Sequence, residues 1–218
     1  MKKKLNIKAI EKHWNETAQK DVMHYISWSG DWGIPHGKAR FYAAGKTEVE
    51  VLMFRLCDYD LGDSALEVGC GIGRQTKELS TRFKKLYAVD ISEKMIERAK
   101  EELSEIKNID FKKIDGINLT HIKNNSISFV YSFIVLQHIS KEPACKLINE
   151  MCRVLKEKGI IHFQFYNLER DNNDDDDAHI LQYLDLHSIE KIFKKHSIEI
   201  QRLEGMRTHY AWVTGIKN

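Results

Sequence analysis

Residues 65 to 79 read ALEVGCGIGRQTKEL: an apolar run of strand character, glycines at 69, 71 and 73, then a stretch suited to a helix. A strand that ends in a glycine-rich turn and passes into a helix opens a βαβ unit. The rest of the chain repeats that alternation. Short β-like runs at 65 to 68, 86 to 89, 109 to 114, 128 to 133 and 159 to 165 are separated by segments of helical periodicity, which predicts a mostly parallel sheet. Two final runs, about 198 to 204 and 208 to 216, are close enough to pair antiparallel. The expected fold is α/β and doubly wound, a seven-stranded sheet with an antiparallel C-terminal strand and helices on both faces.

Between the second and third runs Ser92 is placed to cap a helix in which Met95, Ile96, Ala99, Leu103 and Ile106 follow the 3.6-residue period. A further helix is predicted from Ser140 to Leu155, with Pro143 in its first turn and Gly159 stopping it shortly afterwards, and another near 187 to 195. At the N-terminus Leu5, Ile7, Ile10, Trp14 and Ala18 predict an amphipathic helix over 6 to 21. Residues 24 to 45 mix aromatic residues with glycine and proline, which resists regular structure and reads as a lid-like connector. Thr47 is expected to begin the next helix. The resulting organisation is an N-terminal helix and connector, 1 to 45, ahead of one compact domain, 46 to 218.

Composition narrows the partners. With 34 Lys plus Arg against 32 Asp plus Glu in 218 residues, the chain has no large field to draw nucleic acid or anionic lipid. No run of about 18 apolar residues offers a membrane span. Cys57, Cys70, Cys145 and Cys152 form no C-x-x-C pair and no disulfide framework, so the expected compartment is a reducing cytoplasm. No His or Cys cluster has metal-ligand spacing. The acidic run Asp171 to Asp177 lacks the glycine and distal Glu of a calcium loop and reads as an exposed loop.

The glycine loop is where chemistry enters. Glycines let the backbone turn sharply and approach a ligand, and the N–H groups of the following helix start can face it. Asp90, at the end of the second run, is placed to accept hydrogen bonds from both hydroxyls of a ribose. Together they point to an adenosine cofactor. A dinucleotide fingerprint wants Gly or Ala five positions after the first glycine; Arg74 stands there, while Gly73 falls one position earlier and Glu67 precedes the first glycine by two.

This E-V-G-C-G-I-G arrangement closely resembles motif I of the class I S-adenosylmethionine-dependent methyltransferases. The resemblance extends over roughly 47 to 165 and implies a Rossmann-like domain. AVDIS, 88 to 92, resembles the end of the family's second strand, which implies that Asp90 holds the ribose diol and Ile91 packs on the adenine. KIDGINL, 113 to 119, implies that Asp115 accepts from the adenine amino group beside Gly116. SFVYSFIVLQHI, 128 to 139, resembles the fourth-strand motif, with Ser132 and Phe133 at the methionine end and His138 facing the acceptor. RVLKEKGIIHF, 153 to 163, resembles the following helix, turn and fifth strand, and HWNETAQKD with FYAAGKTEVE resembles one branch of small-substrate enzymes, placing Phe41 and Gly45 near the cofactor. The implied cofactor set is Glu67, Gly69, Cys70, Gly71, Gly73, Asp90, Ile91, Met95, Asp115, Gly116, Ser132 and Phe133.

The implied reaction is in-line displacement at a sulfonium methyl, with His138 the candidate catalytic residue for a hydroxyl acceptor. Phe129-Val130 departs from the aromatic-Asp pair frequent in the family, and no Asn-Pro-Pro-Tyr follows the fourth strand, which disfavours nucleobase and glutamine acceptors. The expected acceptor is a small molecule offering O or N. A tRNA or protein side chain, a catalytically silent cofactor-binding module and a nicotinamide oxidoreductase are the competing functions. His36, Tyr42, His209 and Tyr210 lie in segments expected to reach the cleft, where packing or capping is their ordinary role, and Cys70, Cys145 and Cys152 read as core residues.

Overall fold

The computed structural model describes residues 7–20, 23, 37–168, 182–206 and 208–218. Helices α1 (Ile7–Ala18) and α2 (Lys38–Arg55) precede β1 (Ser64–Val68), a one-turn helix α3 (Thr76–Leu79) and β2 (Lys85–Asp90). Next come α4 (Glu93–Glu102), β3 (Ile109–Lys113) and β4 (Ile127–Ser132), then a 3-10 turn at Leu136–His138. The chain ends with α5 (Lys141–Val154), β5 (Leu155–Tyr166), α6 (Leu186–Lys195), β6 (Ile198–Glu204) and β7 (Tyr210–Lys217).

All seven strands form one sheet in the order β3-β2-β1-β4-β5-β7-β6. The first five run parallel, and β7 pairs antiparallel with both β5 and β6. Parallel strands buried on both faces can be apolar at every position: β4 is buried throughout, whereas the edge strands β3 and β6 carry exposed residues. One face packs on α5 and α6 through Leu147, Met151, Ile189 and Phe193. The opposite face packs on α2 through Val49, Leu52 and Leu56, and on α4 through Met95, Ile96 and Ala99. The sequence order reverses between β1 and β4, the switch point where open α/β sheets leave a crevice beyond their strand tips.

Ser92 caps α4 as expected, accepting from the Met95 amide at 3.1 Å, although α4 ends at Glu102, short of Ile106. Three further boundaries differ from expectation. Helix α2 begins at Lys38 rather than Thr47, so 38 to 45 are helical. Glycine and aromatic residues lower the local helix signal there, but Phe41, Gly45, Val49 and Leu52 form one buried face, and packing outweighs propensity. The helix after the glycine loop is only one turn long, because 71 to 75 form turns first. Strand β5 starts directly after α5, and Gly159 lies within it, where the β4 register shifts. The acidic run 171 to 177, connector residues 24 to 36 and His36 lie outside the described residues. Among those described, no helix is long and apolar enough to cross a membrane.

Candidate cofactor and acceptor site

Three backbone features build the site at the switch point. The Gly69 and Cys70 amides both donate to the Val89 carbonyl, at 2.8 and 3.0 Å, tying the loop after β1 to β2. Gly69 has φ +81°, and a side chain there would collide with Val135; only glycine serves at a left-handed position in such close contact. Ile134, just after β4, also sits in the left-handed region, at φ +58°. For a β-branched residue that conformation is strained, and strain of this kind gathers at functional sites. It turns the chain sharply, and Val135 and the Leu136–His138 turn come to lie over the glycine loop.

A cavity of about 310 Å³ lies at the C-terminal tips of β1, β2 and β4. Of the residues singled out in the sequence, Glu67, Gly69, Cys70, Gly71, Asp90, Ile91, Met95, Gly116, Phe133 and His138 all line it. Gly73, Asp115 and Ser132 do not. Gly73, at φ +89°, gives room to Leu103, 2.6 Å from where its Cβ would stand, and so packs the loop on α4. Asp115 is exposed, and its carboxylate accepts from the Ile117 and Asn118 amides and from Asn118 Nδ2. Those bonds hold its carboxyl below the ordinary range although burial acts the other way. The Ser132 hydroxyl donates to the Val68 carbonyl at 3.0 Å and joins β4 to β1. Of the cleft candidates, Tyr42 is buried with Phe41 against its ring and the Lys77 ammonium over it, and His209 and Tyr210 pack on Tyr166.

Two carboxylates enter the cavity from neighbouring strands. Burial pushes the Glu67 carboxyl up to about 8, against the hydrogen bond from the Thr76 hydroxyl at 2.6 Å and the nearby Arg74 guanidinium. Asp90 is raised by burial too, opposed by the Ser92 and Gly71 amides, each donating at 2.9 Å. Buried acids facing an otherwise apolar space suit a ligand that brings positive charge and hydroxyl donors. Burial raises the Cys70 thiol as well, which keeps it a small apolar wall residue rather than a nucleophile.

The N-terminal helices supply further residues, most of which were given no role in the sequence. Glu48 on α2 accepts from the Arg74 guanidinium and, at 2.7 Å, from Gln75 Nε2, so both side chains of the cavity wall are held from outside the sheet. Gly45 permits this contact, since a Cβ there would meet the Arg74 carbonyl. From α1, Ile7, Ile10 and Trp14 line the cavity, and the Trp14 ring meets His138 edge-on at 5.7 Å. Asn15 fixes α1 to the start of α4, accepting from the Ser92 hydroxyl at 2.7 Å. The periodic apolar stripe of α1 was the available signal for Ile7, Ile10 and Trp14. Glu48 lies within the FYAAGKTEVE stretch, whose resemblance pointed only to Phe41 and Gly45. Among the described residues, no group of three or more His, Cys, Asp or Glu is placed to hold a metal ion.

Comparison with known proteins agrees with this geometry. Residues 66–163 match the family described as a methyltransferase domain. Phosphoethanolamine N-methyltransferase 1 of Zea mays is 35% identical over 104 residues, covering 47% of this chain and 21% of that protein. The Triticum aestivum phosphoethanolamine N-methyltransferase is 29% identical over 156 residues, 71% of this chain and 31% of that protein. The chain thus spans between a fifth and a third of the length of these curated relatives. Among solved structures, the magnesium protoporphyrin IX methyltransferase of Synechocystis PCC 6803 with bound SAH superposes with a TM-score of 0.72 at 19% identity, covering 98% of this chain and all of that one. The sheet order, the glycine loop and the two buried acids accord with the match of residues 66–163 to the methyltransferase-domain family.

Proposed function

We propose that the protein transfers a methyl group from S-adenosylmethionine to an oxygen or nitrogen of a small molecule. The observation that carries this reading is the meeting of Glu67 and Asp90 with the apolar wall of Ile10, Trp14 and Phe133, and with His138, in one cavity. When bound, the cofactor supplies an electrophilic methyl on a positively charged sulfur. Asp90 would hold the ribose hydroxyls, Ile91 and Gly116 would flank the base, and Glu67 would face the cationic methionine end. With so good a leaving group, the protein's part is placement and exclusion of water, worth up to roughly 7 to 11 kcal/mol in well-oriented systems. Helix α1 and the Leu136–His138 turn supply the wall that keeps water out. His138, which lines the cavity, would take the proton from a hydroxyl acceptor.

Among the described residues of the cavity wall Arg74 is the one Lys or Arg, and Glu48 engages it. This supports a small acceptor over a tRNA phosphate backbone. The test is to incubate the protein with S-adenosylmethionine labelled in its methyl group and fractionated cell extract. Label in a small, protease- and nuclease-resistant product is expected. Label in RNA or protein would overturn the small-molecule reading, and tight cofactor binding with no label released would identify a silent module.

A further inference from the structure

The Leu136–His138 turn holds a polar group that has no partner among the described residues. Gln137 lines the cavity beside His138 and is only 4% exposed. Its Nε2 lies 3.4 Å from His138 Nε2, while its side-chain carbonyl oxygen is buried and receives no hydrogen bond from the described residues. A buried amide oxygen left unmatched costs about 1–3 kcal/mol, so a fold tolerates it where a ligand completes it. The strained Ile134 puts this turn over the glycine loop. The surrounding wall is Trp14, Phe133, Val135 and Ile139, and Phe133 is itself backed by the Trp212 ring at 5.3 Å.

We infer that Gln137 is the specificity residue of the acceptor subsite, and that the acceptor is an uncharged, largely apolar molecule, aromatic or similarly flat, presenting an O–H or N–H to the Gln137 carbonyl. This rests on the methyl-transfer reading above and narrows its acceptor. A hydrogen bond accepted by Gln137 orients the donor atom so that its lone pair can face the electrophile; as the new bond to the methyl forms and the methyl–sulfur bond breaks, the attacking atom becomes cationic, and its proton then leaves the Gln137 carbonyl for His138. The flat rings of Trp14 and Phe133 suit a planar body. The same wall is a poor host for a phosphate monoester, because the Arg74 guanidinium on it is already engaged by Glu48. The inference therefore separates this chain's acceptor from that named for its phosphoethanolamine-methylating relatives.

The experiment uses the full chain saturated with S-adenosylhomocysteine and three probes: phenol, toluene and phosphoethanolamine. Binding of each is measured by calorimetry for the wild type and for Gln137→Leu, which keeps the side-chain volume and removes the carbonyl. Expected is a preference of phenol over toluene in the wild type that falls by about three- to tenfold in the variant, as one neutral hydrogen bond is lost, with phosphoethanolamine weakest in both. An unchanged phenol-to-toluene ratio, no phenol binding, or a preference for phosphoethanolamine would overturn the proposal. Thermal stabilisation of Gln137→Leu by S-adenosylhomocysteine checks its fold. Should that variant not fold, Gln137→Met takes its place and must show the same loss. Absence of S-adenosylhomocysteine binding to the wild type would instead overturn the methyl-transfer reading itself.

Discussion

At the residue scale, Glu67 and Asp90 owe their behaviour to where β1 and β2 end. Both carboxyls are buried beside the glycine loop, and burial raises both in the folded protein. Glu67 moves from an ordinary 4.5 to about 8. The folded state then holds its proton more tightly than the unfolded one, so this contribution to stability is complete below the ordinary value and is lost as pH rises through about 8. Chemical unfolding of the ligand-free protein across that window should show stability falling with rising pH, and Glu67→Gln should flatten the slope. A slope unchanged in the variant would remove Glu67 as its source. For Asp90→Ala, loss of charge-assisted hydrogen bonds at roughly 1.5–3 kcal/mol each corresponds to a tenfold or greater weakening of cofactor binding. His138→Ala should lower turnover while leaving cofactor affinity within about threefold, a change of roughly 0.6 kcal/mol or less. Equal turnover at every pH would exclude His138 from proton transfer.

These residues differ in how plainly the sequence declares them. Glu67, the cavity glycines and Asp90 were legible because their spacing follows directly from the strand–turn–helix geometry that uses them. Asp115 is less plain: the polypeptide after β3 turns so that its carboxylate accepts from the Ile117 and Asn118 amides, and the residue is not among those that line the cavity. Ser132 joins two strands, since alternation along β4 puts its hydroxyl against Val68. Gln137 escaped notice because a polar residue beside a histidine has no meaning until the chain's reversal at Ile134 is known.

At the scale of elements, α2 is the part whose contribution was hidden. Its start at Lys38 is set by packing, and its docking depends on Gly45 lying against the Arg74 carbonyl. Gly45→Ala should force α2 away from the glycine loop and cost about 1–3 kcal/mol, as overpacking does. At this chain length that lowers the melting temperature by about 2–4 °C per kcal/mol, and cofactor affinity should fall with it because Arg74 and Gln75 move. A variant as stable as the wild type would show that the contact is not tight. Glu48 links the same helix to both side chains, so Glu48→Ala should weaken cofactor binding with a smaller loss of stability. The core strands needed no such tertiary knowledge; their largely apolar runs reflect burial on both faces of a parallel sheet.

At the scale of the whole molecule, sheet order decides where chemistry can occur. The reversal between β1 and β4 opens the crevice, the helices on both faces hold the strands rigid, and α1 with the turn after β4 covers the opening. The antiparallel arrival of β7 brings Trp212 behind Phe133, so the C-terminal strand backs the cavity wall there. A ligand that binds only the folded form stabilises it by about 2.7 kcal/mol at a hundred times its dissociation constant. Calorimetric titration of the full chain with S-adenosylmethionine, S-adenosylhomocysteine and NADH, repeated on Asp90→Ala, measures the occupancy of that crevice. The account predicts saturable one-to-one binding of the two sulfur nucleosides, weakened tenfold or more in the variant, and none of NADH. Binding of NADH in their place, or equal affinity in both proteins, would contradict it.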